Sequence, residues 1–122
     1  MLQLPCFFAS VSSVKTNFPP AEYIEFLETF GFPCYLISAY DVIRARCGNG
    51  KHIQLRPKGE RDSVVILDSG IYEAYWLRDD DWSLSSYYEA LKIIDADLFL
   101  SFDDARPVAR VDRNLSTIEN KR

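Results

Sequence analysis

The sequence predicts an α/β fold built from parallel β/α units. Three observations carry that expectation. Four short apolar runs, near residues 4–9, 34–39, 63–67 and 97–102, lack the polar alternation of strands with one wet face, as expected of strands covered on both faces. Helical patterns with start and stop signals lie between successive runs. The third and fourth runs both end in aspartate, at Asp68 and Asp103.

Leu4-Pro-Cys-Phe-Phe-Ala9 reads as the first buried strand. Pro19-Pro20 then opens a helix from Ala21 to Phe30, closed by Gly31. Proline suits a first helical turn and glycine a helix exit. Tyr23, Ile24, Leu27 and Phe30 share one face of it, and Glu22, Glu25 and Glu28 another. Cys34-Tyr-Leu-Ile-Ser-Ala39 is the second strand. Residues 40–62 carry turn chemistry at Cys47-Gly-Asn-Gly50 and a brief strand-like alternation at His52-Ile-Gln-Leu-Arg56, and no further element is assigned there. Ser63-Val-Val-Ile-Leu67 is the clearest strand and leads into Asp68-Ser69-Gly70. A helix follows from about Ser83, its N-cap, to Ile94, with Leu84, Tyr87, Tyr88, Leu91 and Ile94 as its apolar stripe. Asp97-Leu-Phe-Leu-Ser-Phe102 is the fourth strand, and residues 108–122 begin another helix. Right-handed crossovers set these strands side by side, with their C-terminal ends on one edge.

The 122 residues are 48% hydrophobic and 26% charged, the balance of one soluble globular domain over residues 1–122. A net charge of -4 argues mildly against a phosphate-binding surface within this chain. Cys6, Cys34 and Cys47 have no metal-ligand spacing, and an odd count does not suggest a disulfide framework. Met1 to Ala9 lacks the basic start and the length of a signal peptide, and no run approaches a membrane span. A cytoplasmic setting, with no membrane partner, is the expectation.

Asp68 and Asp103 are the candidate functional residues. If their strands are neighbours, they lie about 5 Å apart across the sheet. Two carboxylates there can accept hydrogen bonds from the N–H edge of a heterocyclic base, or divide acid and base duties. The ordinary alternative is that each caps a helix or shapes a turn. Asp79-Asp80-Asp81 reads as a solvated, helix-capping run, His52 as a surface residue, and Trp76 and Trp82 as packing beneath a loop rather than a stacking surface.

Val64-Val-Ile-Leu-Asp-Ser-Gly-Ile-Tyr72 resembles the strand and Asp-Ser-Gly-Gly-Phe loop of the tRNA-guanine transglycosylase family, and Ala96-Asp-Leu-Phe-Leu-Ser-Phe-Asp-Asp-Ala-Arg-Pro107 resembles that family's Gly-Ala-Asp strand and Phe-Asp-Glu-Cys-Pro loop. Pro5 to Ala9, the helix after Pro20, Tyr35 to Tyr40 and Val111 to Thr117 are similar to the flanking elements, whereas residues 41–62 match poorly. The resemblance implies the N-terminal portion, about four strands, of a TIM-type (β/α)8 barrel, which in full takes roughly 250 residues. It implies exchange of guanine in a nucleic acid, tRNA or DNA, for a 7-deazaguanine through a covalent intermediate on an aspartate. Asp68 matches the general base that helps hold the base, Asp103 accepts hydrogen bonds from it, Tyr72 packs on its face, and Ser69 and Gly70 complete the loop. Ile71 stands for the family's second glycine, Glu73 for a glutamine and Ala105 for a cysteine, which marks a divergent branch.

The family's nucleophile and its Cys/His zinc site belong to the C-terminal half of the barrel. This chain is therefore expected to hold no cofactor and to turn over no substrate alone, as either a truncated enzyme or one completed by a complementing C-terminal half. The alternative is a non-catalytic small α/β base-binding or interaction module. A different barrel enzyme using two carboxylates at strand ends is a third reading.

Overall fold

A computed structural model describes residues 7–14, 17–47 and 51–102. Strands β1 (Ala9–Val11), β2 (Cys34–Ser38), β3 (Val64–Asp68) and β4 (Leu98–Phe99) form one sheet in the order β1-β2-β3-β4, every pairing parallel. Between them lie α1 (Pro20–Thr29), α2 (Ala39–Cys47), the six-residue α3 (Ile71–Trp76) and α4 (Leu84–Ile93), with a 3-10 turn at Lys58–Glu60. The α/β class with parallel strands is as the sequence indicates.

Strands in sequential order joined by right-handed crossovers place their helices on one face of the sheet. The burial of β3 follows suit: Val65 and Leu67 are fully buried, while Val64, Ile66 and Asp68 are half-buried. In-register partners share a face, so Ala9, Tyr35 and Val65 form one row under the helices, and Val11, Ile37 and Leu67 the next. The opposite face carries Ser10, Leu36, Ile66 and Leu98. Ala21, Ile24 and Leu27 of α1, Val42 of α2 and Tyr87, Ala90 and Ile94 of the α4 segment close the core over the first face, and α2 packs directly on α4.

Several expectations are corrected. The first strand lies at Ala9–Val11; of the expected run, residues 4–6 lie outside the described residues, residues 7–8 are not in a strand, and Phe7 is exposed. Ser10 and Ser12 give it a mixed polarity that a search for apolar runs passes over. Phe30 leaves the α1 face at the helix exit and packs on Phe26 instead, centroids 4.7 Å apart. Ala39–Cys47 is a helix that begins without a break from β2, in the stretch where no element was assigned. His52–Arg56 alternates in burial, with Ile53 buried and Leu55 half-buried, but pairs with no strand among the described residues. Leu84 and Tyr88 face outward, and Ala90 takes their place in the buried stripe of α4. Ser83 is the N-cap as expected, its N–H donating to Ser86 Oγ (3.3 Å). The expected helix at 108–122 and the strand end at Asp103 lie outside the described residues.

The N-terminal edge of the sheet is held by one buried arginine. The Arg61 guanidinium donates to the carbonyls of Arg56 (2.9 Å), Ser63 (2.9 Å) and Asp95, and to the Asp97 carboxylate (2.8 Å). That carboxylate also accepts the Val65 N–H (2.8 Å). Partial burial opposes ionisation of Asp97, but the Val65 N–H and the Arg61 charge prevail and hold its carboxyl below the usual range. The start of β3 is thereby fixed to the start of β4.

Among the described residues, two glycines adopt left-handed backbone, and they differ in their surroundings. A Cβ at Gly31 (φ +67°) meets nothing within 4 Å, whereas one at Gly70 (φ +87°) meets the Tyr40 nitrogen at 2.7 Å and the Trp82 ring at 2.8 Å. Gly31→Ala is expected to cost about 1 kcal/mol, the conformational term alone. Gly70→Ala adds overpacking to that strain and is expected to cost about 2–4 kcal/mol. Urea unfolding of the two variants measures the difference, and equal costs contradict the packing described for Gly70.

Candidate functional site

The C-terminal ends of β2 and β3 bring Ser38 and Asp68 into register. Ser12, just past Val11 at the end of β1, continues the same row by strand alternation, on the face opposite Val11, Ile37 and Leu67. Glu73 closes over it from α3. Ser12 Oγ donates to Glu73 Oε2 (2.6 Å) and Ser38 Oγ to Oε1 (2.7 Å), so one carboxylate ties the ends of two strands to a helix that follows the third. Glu73 is 3% exposed. No Lys or Arg pairs with it among the described residues.

A second buried carboxylate stands beside it. Asp41, in the first turn of α2 and 6% exposed, accepts the Ser13 N–H (2.9 Å). Burial, with the Glu73 charge adding to it, pushes the Asp41 carboxyl up to about 6 against the pull of its Ser13 hydrogen bonding. Ser12, Ser38, Asp41 and Glu73 were not singled out from the sequence as site residues. The sequence signal for Ser12 and Ser38 is a polar residue at the C-terminal end of an apolar run. For Glu73 it is a charge on the buried side of a short helix.

The predicted residues fall in one turn at the end of β3. Asp68 is half-buried, and its Oδ1 accepts the Ser69 N–H (2.8 Å). Ser69 is buried, its hydroxyl facing the Ile71 N–H (3.5 Å) and its carbonyl accepting the Trp82 indole N–H (2.9 Å). Gly70 packs under Tyr40 and Trp82. Tyr72 is 45% exposed on α3, its ring set edge-on to Trp76 at 6.2 Å. Asp103 lies outside the described residues, but β3 and β4 are neighbours. The Leu100 N–H donating to the Leu67 carbonyl (2.9 Å) carries their pairing one residue past β4. Tyr87 of α4 sits between the two strand ends, donating to the carbonyls of Leu67 (3.3 Å) and Leu100. Burial and the nearby Asp68 charge push its phenol up to about 12.

The loop rests on an aromatic and ionic platform. Trp82 is fully buried and meets Tyr40 edge-on at 5.1 Å. The Arg44 guanidinium lies over both rings, at 5.3 and 5.5 Å, and donates to Asp79 (2.8 Å), which also accepts the Tyr40 hydroxyl (3.0 Å). Trp82 therefore packs beneath the loop as expected, while Trp76 is exposed beside Tyr72 and Tyr75. Asp79 departs from the expected solvated run: it is an ion-pair partner that anchors the platform.

Among the described residues there is no group of three or more His, Cys, Asp and Glu placed to hold a metal, and no helix long and apolar enough to cross a membrane. No protein-family model, no curated protein and no solved structure matches the chain.

Asp41 yields a pH signature. The folded chain holds its proton more tightly than the unfolded chain, where the ordinary value is 3.8. This group therefore favours folding fully below about pH 4, and its contribution is lost as the pH rises through about 6. Asp41→Asn is expected to flatten that part of the stability profile and to raise stability at pH 7 by about 1–3 kcal/mol. Urea titrations between pH 4 and 8 measure it; a profile unchanged by the substitution contradicts the burial of Asp41 as an ionisable group.

Proposed function

We propose that this chain is the N-terminal portion of a base-exchanging transglycosylase barrel, carrying part of the pocket for a purine-like base. The observation that carries the reading is Asp68 at the C-terminal end of the third of four parallel strands in sequential order, with the strand that leads toward Asp103 directly beside it. A sequential order with its helices on one face is the pattern of a closing barrel, whereas an open doubly wound sheet reverses its order at a switch point. Barrel sites form at the C-terminal edge, where Ser12, Ser38 and Asp68 lie in one row.

In this reading Asp68 accepts a hydrogen bond from the N–H edge of guanine or a 7-deazaguanine and serves as general base. Asp103 takes a second N–H from the neighbouring strand. In this reading the half-exposed ring of Tyr72, beside Trp76, lies on the base face. Ser69 and Gly70 shape the turn, held by Trp82 from below. The covalent step requires an aspartate, and any zinc site its Cys and His ligands, from a complementing half. The nucleic acid, tRNA or DNA, binds across the complete protein, and the compartment is the cytoplasm.

The test is equilibrium dialysis of the chain against radiolabelled guanine, with adenine as competitor. Guanine is expected to bind in preference to adenine, and Asp68→Asn to weaken it at least tenfold, about 1.4 kcal/mol. Equal binding of the two purines, or an affinity unchanged by Asp68→Asn, overturns the reading.

A further inference from the structure

We propose that the cavity between α1 and α2 binds a small organic cation, its amine or amidine group seated on Asp41 and its apolar body held between Pro20, Ile53 and Leu77. The inference does not depend on the transglycosylase reading. It rests on a cavity and on an unbalanced charge. The cavity has a volume of about 360 Å³, within the range of small-molecule sites. Pro19, Pro20, Ala45, Ile53 and Leu77 give it largely apolar walls, and among the described residues Asp41 is the one acidic side chain that lines it.

Asp41 and Glu73 are both more than nine-tenths buried, and a buried charge is costly unless it is compensated. Glu73 has both oxygens occupied by the hydroxyls of Ser12 and Ser38. Asp41 accepts hydrogen bonds from the Ser13 N–H and side chain only, and no Lys or Arg pairs with it among the described residues. The two cations on the cavity wall are already engaged: Arg44 pairs with Asp79, and Lys51 with Glu25. The groups around the cavity therefore sum to a net negative charge centred on Asp41, and a cation arriving there completes the balance. The walls offer a hard metal ion a single carboxylate, far fewer than the roughly six oxygen ligands it takes. They suit a hydrocarbon or aromatic body, and they disfavour an anion, which meets a buried carboxylate.

The probes are benzylamine and benzamidine, compared at pH 7.5 with the neutral benzyl alcohol and the anionic benzoate. Binding is followed by thermal shift and by the amide resonance of Ser13. Both cations are expected to raise the melting temperature and move that resonance, with affinity at least tenfold above the alcohol and no response to benzoate. Asp41→Asn keeps the acceptor for the Ser13 N–H and is expected to weaken the cations at least tenfold. Ala45→Phe fills the cavity and is expected to weaken cation and alcohol alike, which separates occupancy of the cavity from charge. Equal affinity for amine and alcohol, or cation binding untouched by both substitutions, overturns the proposal.

Discussion

The architecture of the C-terminal edge depends on one interaction, the double hydrogen bond that Glu73 accepts from Ser12 and Ser38. These residues are 61 and 35 positions from Glu73 in the sequence. The contact holds β1, β2 and the first turn of α3 in one arrangement. It also fixes what the edge presents. With Ser12 and Ser38 turned toward Glu73 of α3, the row they share with Asp68 lies on the sheet face opposite Val11, Ile37 and Leu67. The Asp68–Gly70 turn then rises between that row and the indole of Trp82. An ionised carboxylate accepting two hydroxyl donors makes stronger bonds than neutral pairs do, and truncating either partner leaves a buried polar group unsatisfied.

The two edges of the sheet divide their work. At the N-terminal edge the Arg61 guanidinium is saturated by carbonyls and by Asp97, and Glu28 accepts from both Tyr35 and Ser63. The Arg61 and Asp97 charges there are matched, and the result is registration of strands. At the C-terminal edge, Asp41 and Glu73 are buried without a cation among the described residues, and Asp68 stands half-buried beside Tyr87. Buried carboxylates such as Asp41 and Glu73, with no cation beside them among the described residues, stabilise a fold poorly, and perturbed groups of this kind at the end of parallel strands are suited to receive a ligand.

The parts of the fold legible in the sequence are those with strong local signals. The Pro20 start and Gly31 exit of α1, the apolar run of β3 and the Ser83 cap of α4 each rest on local chemistry, and each lies within a residue or two of its place. What escaped was decided by tertiary packing. α2 begins with no cap or break after β2, because Tyr40, Asp41 and Val42 are buried against elements distant in sequence. β1 depends on its pairing with β2 for a register that puts Ser10 and Ser12 on the face opposite Val11. In the site, Asp68 was legible as a carboxylate ending a strand. Glu73 was visible only as a departure from a family pattern, since no sequence spacing indicates that its partners come from the first two strands.

The most direct test of this account is a double-mutant cycle between Ser38→Ala and Glu73→Gln, read by urea unfolding at pH 7. If Glu73 ties the strand ends together as described, the two substitutions are coupled by about 1–3 kcal/mol. Costs that add to within about 0.5 kcal/mol would show that the two side chains act independently, and the arrangement built on their contact would then be wrong.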